Sequence, residues 1–236
     1  MYDWTTHTHV HLAGECMHKC CYCYVDNPRF GRPGKYKGEP RLIEEELLVD
    51  YGRGKTIFVE NCGDVFAQNI PQEFIDKILT HCRAFPDNEY VFQTKNPRRY
   101  LDFIYDMPNK KNCFLGTTIE TNRDTHGISN APPTIERFQA MRAIKEIHTA
   151  SGFPICKTFI TIEPILDFDV SEFSRNIIFT QPDFINIGAD SKGHGLKEPS
   201  VEKVVQLVEA IQAAGIEIRK KHNLERIVGD RFKVET

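Results

Sequence analysis

Four of the chain's cysteines crowd into the run Cys16-Met17-His18-Lys19-Cys20-Cys21-Tyr22-Cys23. The spacing Cys-x3-Cys-x2-Cys at Cys16, Cys20 and Cys23 supplies three thiolates from one tight loop, and thiolates are the ligands of iron–sulfur clusters and of zinc. A [4Fe–4S] cube held by three cysteines leaves one iron open. That iron can chelate the amino and carboxylate groups of S-adenosylmethionine (SAM), and an electron from the cluster then breaks the S–C5′ bond. Tyr22, just before the third cysteine, is placed to pack on the cluster or on adenine. A structural zinc site and unligated reactive thiols are the competing readings. Zinc would want a fourth ligand. Cys21 is the nearest, but its position between Cys20 and Cys23 makes the geometry awkward, and it is read as a non-ligand.

The other chemistry-bearing residues fall at the ends of apolar runs. These ends read Glu60-Asn61-Cys62-Gly63-Asp64, Gln93-Thr94-Lys95, Thr117-Thr118-Ile119-Glu120, Thr161-Ile162-Glu163 and Asn186-Ile187-Gly188-Ala189-Asp190. Cys82, Cys113 and Cys156 form no second cluster motif. Cys62 lies beside the expected site, where a thiol can return a hydrogen atom to a product radical. His7, His9 and His11 alternate and so share one face of a strand. Barrel hydrolases often place a His-x-His pair there for zinc or another divalent metal, so a zinc hydrolase stays open as the rival class, with Lys95, His126, His194 and Asp190 to complete its site. The alternative reading of the three histidines is a histidine-lined barrel interior. Arg29, Arg32, Lys35, Lys37 and Arg41 make a basic stretch able to meet phosphates, as do Arg219, Lys220, Lys221 and His222.

These residues need a scaffold that brings strand ends together. Strand patterns cover His7–Leu12, Thr56–Glu60, Tyr90–Thr94, Phe114–Glu120, Lys157–Glu163, Phe184–Gly188 and Ile216–Arg219. Helical patterns cover Arg41–Tyr51, Pro71–Ala84, Pro97–Tyr105, Thr134–Ala150, Val170–Thr180 and Val201–Ala214. Asp169 and Ser200 are expected N-caps, and Gly152 and Gly215 expected stops. Alternation of this kind predicts an α/β fold with a parallel sheet, either doubly wound or a full or partial (β/α) barrel of six or seven units. Both put chemistry at the C-terminal ends of the strands. We expect one domain over 1–236, with 215–236 as a C-terminal extension of it.

Composition sets the outer bounds. The chain has 236 residues, 40% of them hydrophobic and 27% charged, so it can bury a core without disulfide staples. No apolar run approaches a membrane span and the first residues do not read as a signal peptide. The expected location is the cytoplasm, where eight cysteines are not a disulfide framework. The net charge of −3 gives no global support for nucleic-acid binding, so any such role rests on the local basic stretches.

The cysteine spacing, the aromatic at Tyr22 and the (β/α) pattern together resemble the radical SAM superfamily. Longer stretches narrow the resemblance. Ile57-Phe58-Val59-Glu60-Asn61-Cys62-Gly63-Asp64-Val65-Phe66, Phe92-Gln93-Thr94-Lys95-Asn96-Pro97, Leu115-Gly116-Thr117-Thr118-Ile119-Glu120 and Ile162-Glu163-Pro164-Ile165-Leu166 look like a phage-associated radical SAM family. That family is distantly similar to spore photoproduct lyase, which acts on thymine in DNA. The resemblance covers most of 10–190, and the glycine-rich sixth strand is reduced to Ile187-Gly188-Ala189-Asp190. It implies a radical SAM barrel, a [4Fe–4S] cluster on Cys16, Cys20 and Cys23, SAM as cosubstrate, and an external one-electron donor such as flavodoxin or ferredoxin. It implies that Asn61, Cys62, Gly63 and Asp64 stand where a Gly-Gly-Glu turn receives the SAM amino group. Lys95 would meet the SAM carboxylate, Thr118 or Glu120 the ribose or amino group, and Glu163 and Asp190 the ribose or substrate. Arg29, Arg32 and Lys35 would hold substrate phosphates. The substrate class implied is a nucleobase in viral DNA, with isomerisation of Nα-glycinyl to Cα-glycinyl thymidine as its most specific form and the host cytoplasm as its setting. A radical SAM enzyme acting on RNA or on a small molecule is the alternative within the class.

Overall fold

The computed structural model describes residues 2–25, 34–123, 126–151 and 156–229. Seven strands form one parallel sheet in the order β1 (His7–His9), β4 (Thr56–Val59), β5 (Glu89–Thr94), β6 (Cys113–Thr118), β7 (Lys157–Ile162), β8 (Phe184–Ile187) and β9 (Glu217–Lys220). Helices α1 (Gln72–Arg83), α2 (Tyr100–Phe103), α3 (Thr134–Ser151), α4 (Val170–Thr180) and α5 (Val201–Ala213) fall between consecutive strands, and α6 (Glu225–Val228) follows β9. A two-residue hairpin of β2 (Leu12–Ala13) and β3 (Arg41–Leu42) stands apart from the sheet. The alternation leaves a doubly wound sheet and a full or partial barrel open, and the partial barrel is the one observed.

The central strands β6, β7 and β8 bury both faces, as parallel strands do, while the edge strand β1 buries neither. The outer face packs on helices. Ile57, Val59, Phe92 and Leu115 join Ile75, Ile78 and Leu79 of α1. Ile160, Ile162, Ile185 and Ile187 join Phe173 and Ile177 of α4 and Val204, Leu207 and Ile211 of α5. The inner face is aromatic: Phe114, Phe159 and Phe184 cluster with Tyr2 and Trp4, which precede β1. Tyr2 lies 5.8 Å from the rings of Phe58 on β4 and Phe159 on β7, and the Lys221 ammonium, just past β9, sits 5.0 Å over its ring. One side chain meeting both flanks and the middle of the sheet shows how far the sheet curls. Phe159 reaches inward only because Gly116 faces it: a Cβ there would lie 2.1 Å from the ring's Cζ.

The helix expected over Arg41–Tyr51 is replaced by β3 and a 3-10 turn at Glu44–Leu48. Glu44, Glu45 and Glu46 follow one another and no residue of the turn is buried, so this stretch has no apolar face to hold a helix against the core. The expected first strand is likewise shorter. It ends at His9, and Leu12 leaves the sheet to pair with Leu42. Gly14 follows with φ 96°, and a Cβ there would sit 2.3 Å from the Glu39 carbonyl oxygen, so only glycine opens the loop that carries the cysteines. Ser200 caps α5 through Lys203 N, whereas Asp169 makes no cap bond because its carboxylate holds Arg123. Gly215 takes the left-handed conformation just past α5; Gly152 lies outside the described residues.

Candidate active site

The cysteine loop crosses the C-terminal mouth of the barrel. Cys23 N donates to Cys20 O at 2.9 Å, closing a turn, and Lys19 takes a left-handed φ of 46°. Two backbone bonds tie the loop to the segment before α3: Cys21 N to Ile128 O at 2.9 Å, and Asn130 N to His18 O at 2.7 Å. Cys16, Cys20 and Cys23 line one cleft of about 510 Å³, while Cys21 is exposed and lines none of it. Burial pushes the Cys16 thiol up to about 12 and the Cys20 thiol upward as well, with Lys95 opposing the rise at Cys20. Among the described residues no three His, Cys, Asp or Glu side chains converge to hold a single metal ion.

Tyr22 fixes the loop from beneath. Its hydroxyl donates to Glu120 Oε1, and Lys95 Nζ lies 5.3 Å over its ring and 3.7 Å from the same oxygen. Arg137, fully buried, gives one nitrogen to both Glu120 Oε2 (2.9 Å) and Thr118 O (2.8 Å) and its Nε to Pro132 O (2.7 Å). Burial raises the Glu120 carboxyl, but Lys95 and Arg137 outweigh it and hold it below the usual carboxylate range. Both carboxylate oxygens are thus engaged within the protein. Lys95 and Thr118 line the cleft, and Glu120 stands behind them.

The loop after β4 contributes a second wall. Asp64 Oδ2 accepts from His18 Nε2 (2.8 Å), Thr94 Oγ1 (2.9 Å) and Lys95 N (2.9 Å), and Oδ1 accepts from Phe66 N (2.9 Å). Asp64 therefore joins the cysteine loop to two strand ends. Cys62 Sγ is 3.5 Å from Asn61 Oδ1 and 4.0 Å from the Tyr24 hydroxyl, which donates to Asn61 O. Glu60, which its place at a strand end alone gives no role, has one in the structure. It takes a left-handed φ of 65°, and Oε2 accepts the His11 and Leu12 amides at 2.8 and 3.0 Å. Its Oε1 is buried with no partner. A Cβ on Gly63 would lie 3.2 Å from that oxygen, so the glycine lets the loop pack closely over it. Burial pushes the Glu60 carboxyl up to about 8. The only sequence signal was an acid as the last residue before the loop, which ordinary strand ends also show.

The opposite wall comes from β7 to β9. Glu163 accepts from Lys221 Nζ (2.5 Å) and Asn223 Nδ2 (2.7 Å). Gly188 makes room for them: a Cβ would meet Asn223 Oδ1 at 2.8 Å and Glu163 Oε1 at 2.9 Å. Asp190 holds its own loop, accepting from His194 N (2.5 Å), His194 Nδ1 (2.7 Å) and Lys192 N (3.1 Å). Glu163, Asp190, Lys192 and His194 all line the cleft.

The histidine expectation is corrected. His7 and His9 pair in register with Ile57 and Val59, whose side chains face the helices, so these histidines point away from the barrel interior. His9 Nε2 meets Glu46, and His11 Nε2 meets the Tyr51 hydroxyl (2.8 Å) and His81 Nδ1 (3.3 Å). None of the three lines the cleft, so the hydrolase site has no counterpart there. Arg29 and Arg32 lie outside the described residues. Lys35 lies off the cleft, its Nζ 5.5 Å over the Tyr36 ring. No helix among the described residues is long and apolar enough to cross a membrane.

A family model described as "Protein of unknown function (DUF5131)" matches residues 2–222. No curated protein matches the chain. Among solved structures, a cysteine-to-serine mutant of spore photoproduct lyase is similar at a TM-score of 0.63 and 12% identity, covering 94% of this chain and 78% of that one. Spore photoproduct lyase complexed with dinucleoside spore photoproduct is similar at 0.59 and 12%, covering 89% and 75%. SuiB of Streptococcus suis bound to S-adenosylmethionine is similar at 0.60 and 11%, covering 98% of this chain and 54% of SuiB, so the chain spans about half of SuiB's length. At these identities the likeness is one of fold.

Proposed function

We propose that this chain, which belongs to the DUF5131 family, is a radical SAM enzyme acting on a nucleobase. The observation that carries the reading is the cleft itself: Cys16, Cys20 and Cys23 open into the same space as the Lys95 and Asn61 side chains. That set fits a [4Fe–4S] cluster with SAM beside it, three thiolates for the cluster, a cation for the SAM carboxylate and, in Asn61, an acceptor for its amino group. With an electron from an external donor, the cluster would supply the reducing equivalent that cleaves SAM to methionine and a 5′-deoxyadenosyl radical.

The chain's own residues hold and orient. Asp64 and His18 fix the cysteine loop against the β4 loop, and Glu120 fixes Tyr22 under it. Asn61, Cys62 and Gly63 border the amino end of SAM, and Thr118 and Glu163 the ribose side. Asp190 and Lys192 are left for the substrate. Proximity is the main contribution, since hydrogen abstraction requires reacting atoms about 3–3.5 Å apart. Cys62 is a hydrogen donor at the end of the reaction, and an electron from the external donor with a proton from water returns its thiyl radical to the thiol.

The substrate class is supported by the fold shared with a lyase solved with a dinucleoside lesion and by the cations Lys192 and Lys221 on the cleft wall. The specific reaction we propose is conversion of Nα-glycinyl to Cα-glycinyl thymidine in viral DNA. A hydrogen atom leaves the glycinyl α-carbon, that carbon takes over the thymine methylene as the methylene–nitrogen bond breaks, and the nitrogen takes a hydrogen atom back. Anaerobic incubation with SAM and reductant, followed by mass analysis of 5′-deoxyadenosine and of viral nucleosides, tests both levels. The expected result is deoxyadenosine together with a nucleoside of unchanged mass and altered retention. Deoxyadenosine without any change in the nucleosides would remove the substrate claim and leave the cofactor claim.

A further inference from the structure

The cleft floor is a directed chain of hydrogen bonds. Tyr2, Gln93 and Thr118 line it. The Tyr2 hydroxyl donates its one proton to Gln93 Oε1 and also touches Thr161 Oγ1, so in that second contact Thr161 must be the donor. Thr161 in turn accepts from Asn186 Nδ2 at 3.3 Å. Beyond Tyr2, the Gln93 amide is held by its oxygen, which leaves Nε2 to donate to Thr118 Oγ1 at 2.7 Å. The chain of donors therefore runs from β8 through β7, Tyr2 and β5 to β6. It ends with a Thr118 hydroxyl that has accepted a bond and keeps its proton to give.

We infer that Tyr2 is a positioning residue: by fixing the Gln93 amide it makes Thr118 a hydrogen-bond donor into the cleft, toward an oxygen or nitrogen acceptor on bound SAM. Two further observations agree. The Tyr2 ring is locked, stacked on Trp4 at 5.3 Å and packed edge-on against Phe159. Burial holds its phenol far above the ordinary value, so it stays protonated and able to donate. Removing the hydroxyl would free the Gln93 oxygen, letting the amide turn and present that oxygen to Thr118. Thr118 would then spend its proton on Gln93 and face SAM with lone pairs only.

The inference rests on the SAM reading above, and the test separates the two. SAM binding to the anaerobically reconstituted holoprotein is measured by equilibrium dialysis for wild type, Tyr2→Phe, Thr118→Val, Thr118→Ser and the Tyr2→Phe/Thr118→Val double variant. Tyr2→Phe keeps the ring, and emission of Trp4, the chain's sole tryptophan, checks that the stack survives. Tyr2→Phe and Thr118→Val are each expected to weaken SAM binding by about threefold to tenfold. The double variant should bind no worse than Thr118→Val alone, and Thr118→Ser should bind as wild type. Wild-type affinity in Tyr2→Phe, or a double variant showing the product of the two single losses, overturns the positioning role while leaving the SAM site intact. A wild-type holoprotein that binds no SAM overturns both.

Discussion

His18 Nε2 and Asp64 Oδ2 lie 2.8 Å apart, both buried, and theirs is a side-chain bond that joins the cysteine loop to the end of the second barrel strand. Burial raises the Asp64 carboxyl, but the His18 contact and the Lys95 and Thr94 bonds outweigh it and hold the group below its usual range. Replacing Asp64 with Ala leaves His18, Lys95 N, Thr94 and Phe66 N without their acceptor. The expected cost is about 3–5 kcal/mol of unfolding free energy, read by urea titration. The same variant should lose iron on reconstitution even where it remains folded.

The three cysteines should separate from the fourth. Cys16→Ser, Cys20→Ser and Cys23→Ser are each expected to lose most of the bound iron. Cys21→Ser should keep it, because that side chain is exposed and outside the cleft. Iron and sulfide analysis of the four reconstituted proteins checks this.

Glu60 gives a pH dependence of definite sign. Its folded-state value, about 8, lies above the ordinary 4.5. The folded protein therefore binds the extra proton, and stability falls as pH rises between those two values, by up to about 1.4 kcal/mol per unit. Thermal melts of the metal-free protein should show wild type losing ground to Glu60→Gln from pH 5 to pH 8. Parallel curves for the two proteins would contradict the buried, proton-holding carboxyl.

Two packing changes test the scaffold. Gly116→Ala sets a methyl 2.1 Å from Phe159 Cζ and should cost about 1–3 kcal/mol, through strain in the aromatic interior. Arg137→Met strands the buried Glu120 carboxylate and should cost about 3–5 kcal/mol. Glu120→Gln in the same background should recover part of that loss, measured as a double-mutant cycle by chemical denaturation.

The strand and helix succession was legible in the sequence because β-branched runs and 3.6-residue periodicity report local structure directly. β4 to β8 and α1, α3, α4 and α5 fall within one or two residues of expectation. Periodicity predicts a helix through the acidic stretch at Glu44–Leu48, where the structure has a 3-10 turn, since periodicity says nothing of whether a neighbour is there to bury the apolar face. The histidines were assigned one face correctly, but which face the barrel encloses depends on sheet curl, fixed by distant residues such as Gly116 and Phe159. The cysteine loop was legible by its spacing. The roles of Glu60, Tyr2 and Arg137 were not, because each depends on a backbone conformation or on partners tens of residues away.

The central claim is that Cys16, Cys20 and Cys23 hold a cluster with an iron open to SAM. Its most direct measurement is electron paramagnetic resonance of the dithionite-reduced, anaerobically reconstituted protein before and after SAM is added, with iron and sulfide counted on the same sample. The account calls for a brown protein with about four irons per chain and a reduced-cluster signal that shifts when SAM binds. A colourless protein carrying one zinc per chain, or a cluster signal indifferent to SAM, would contradict it.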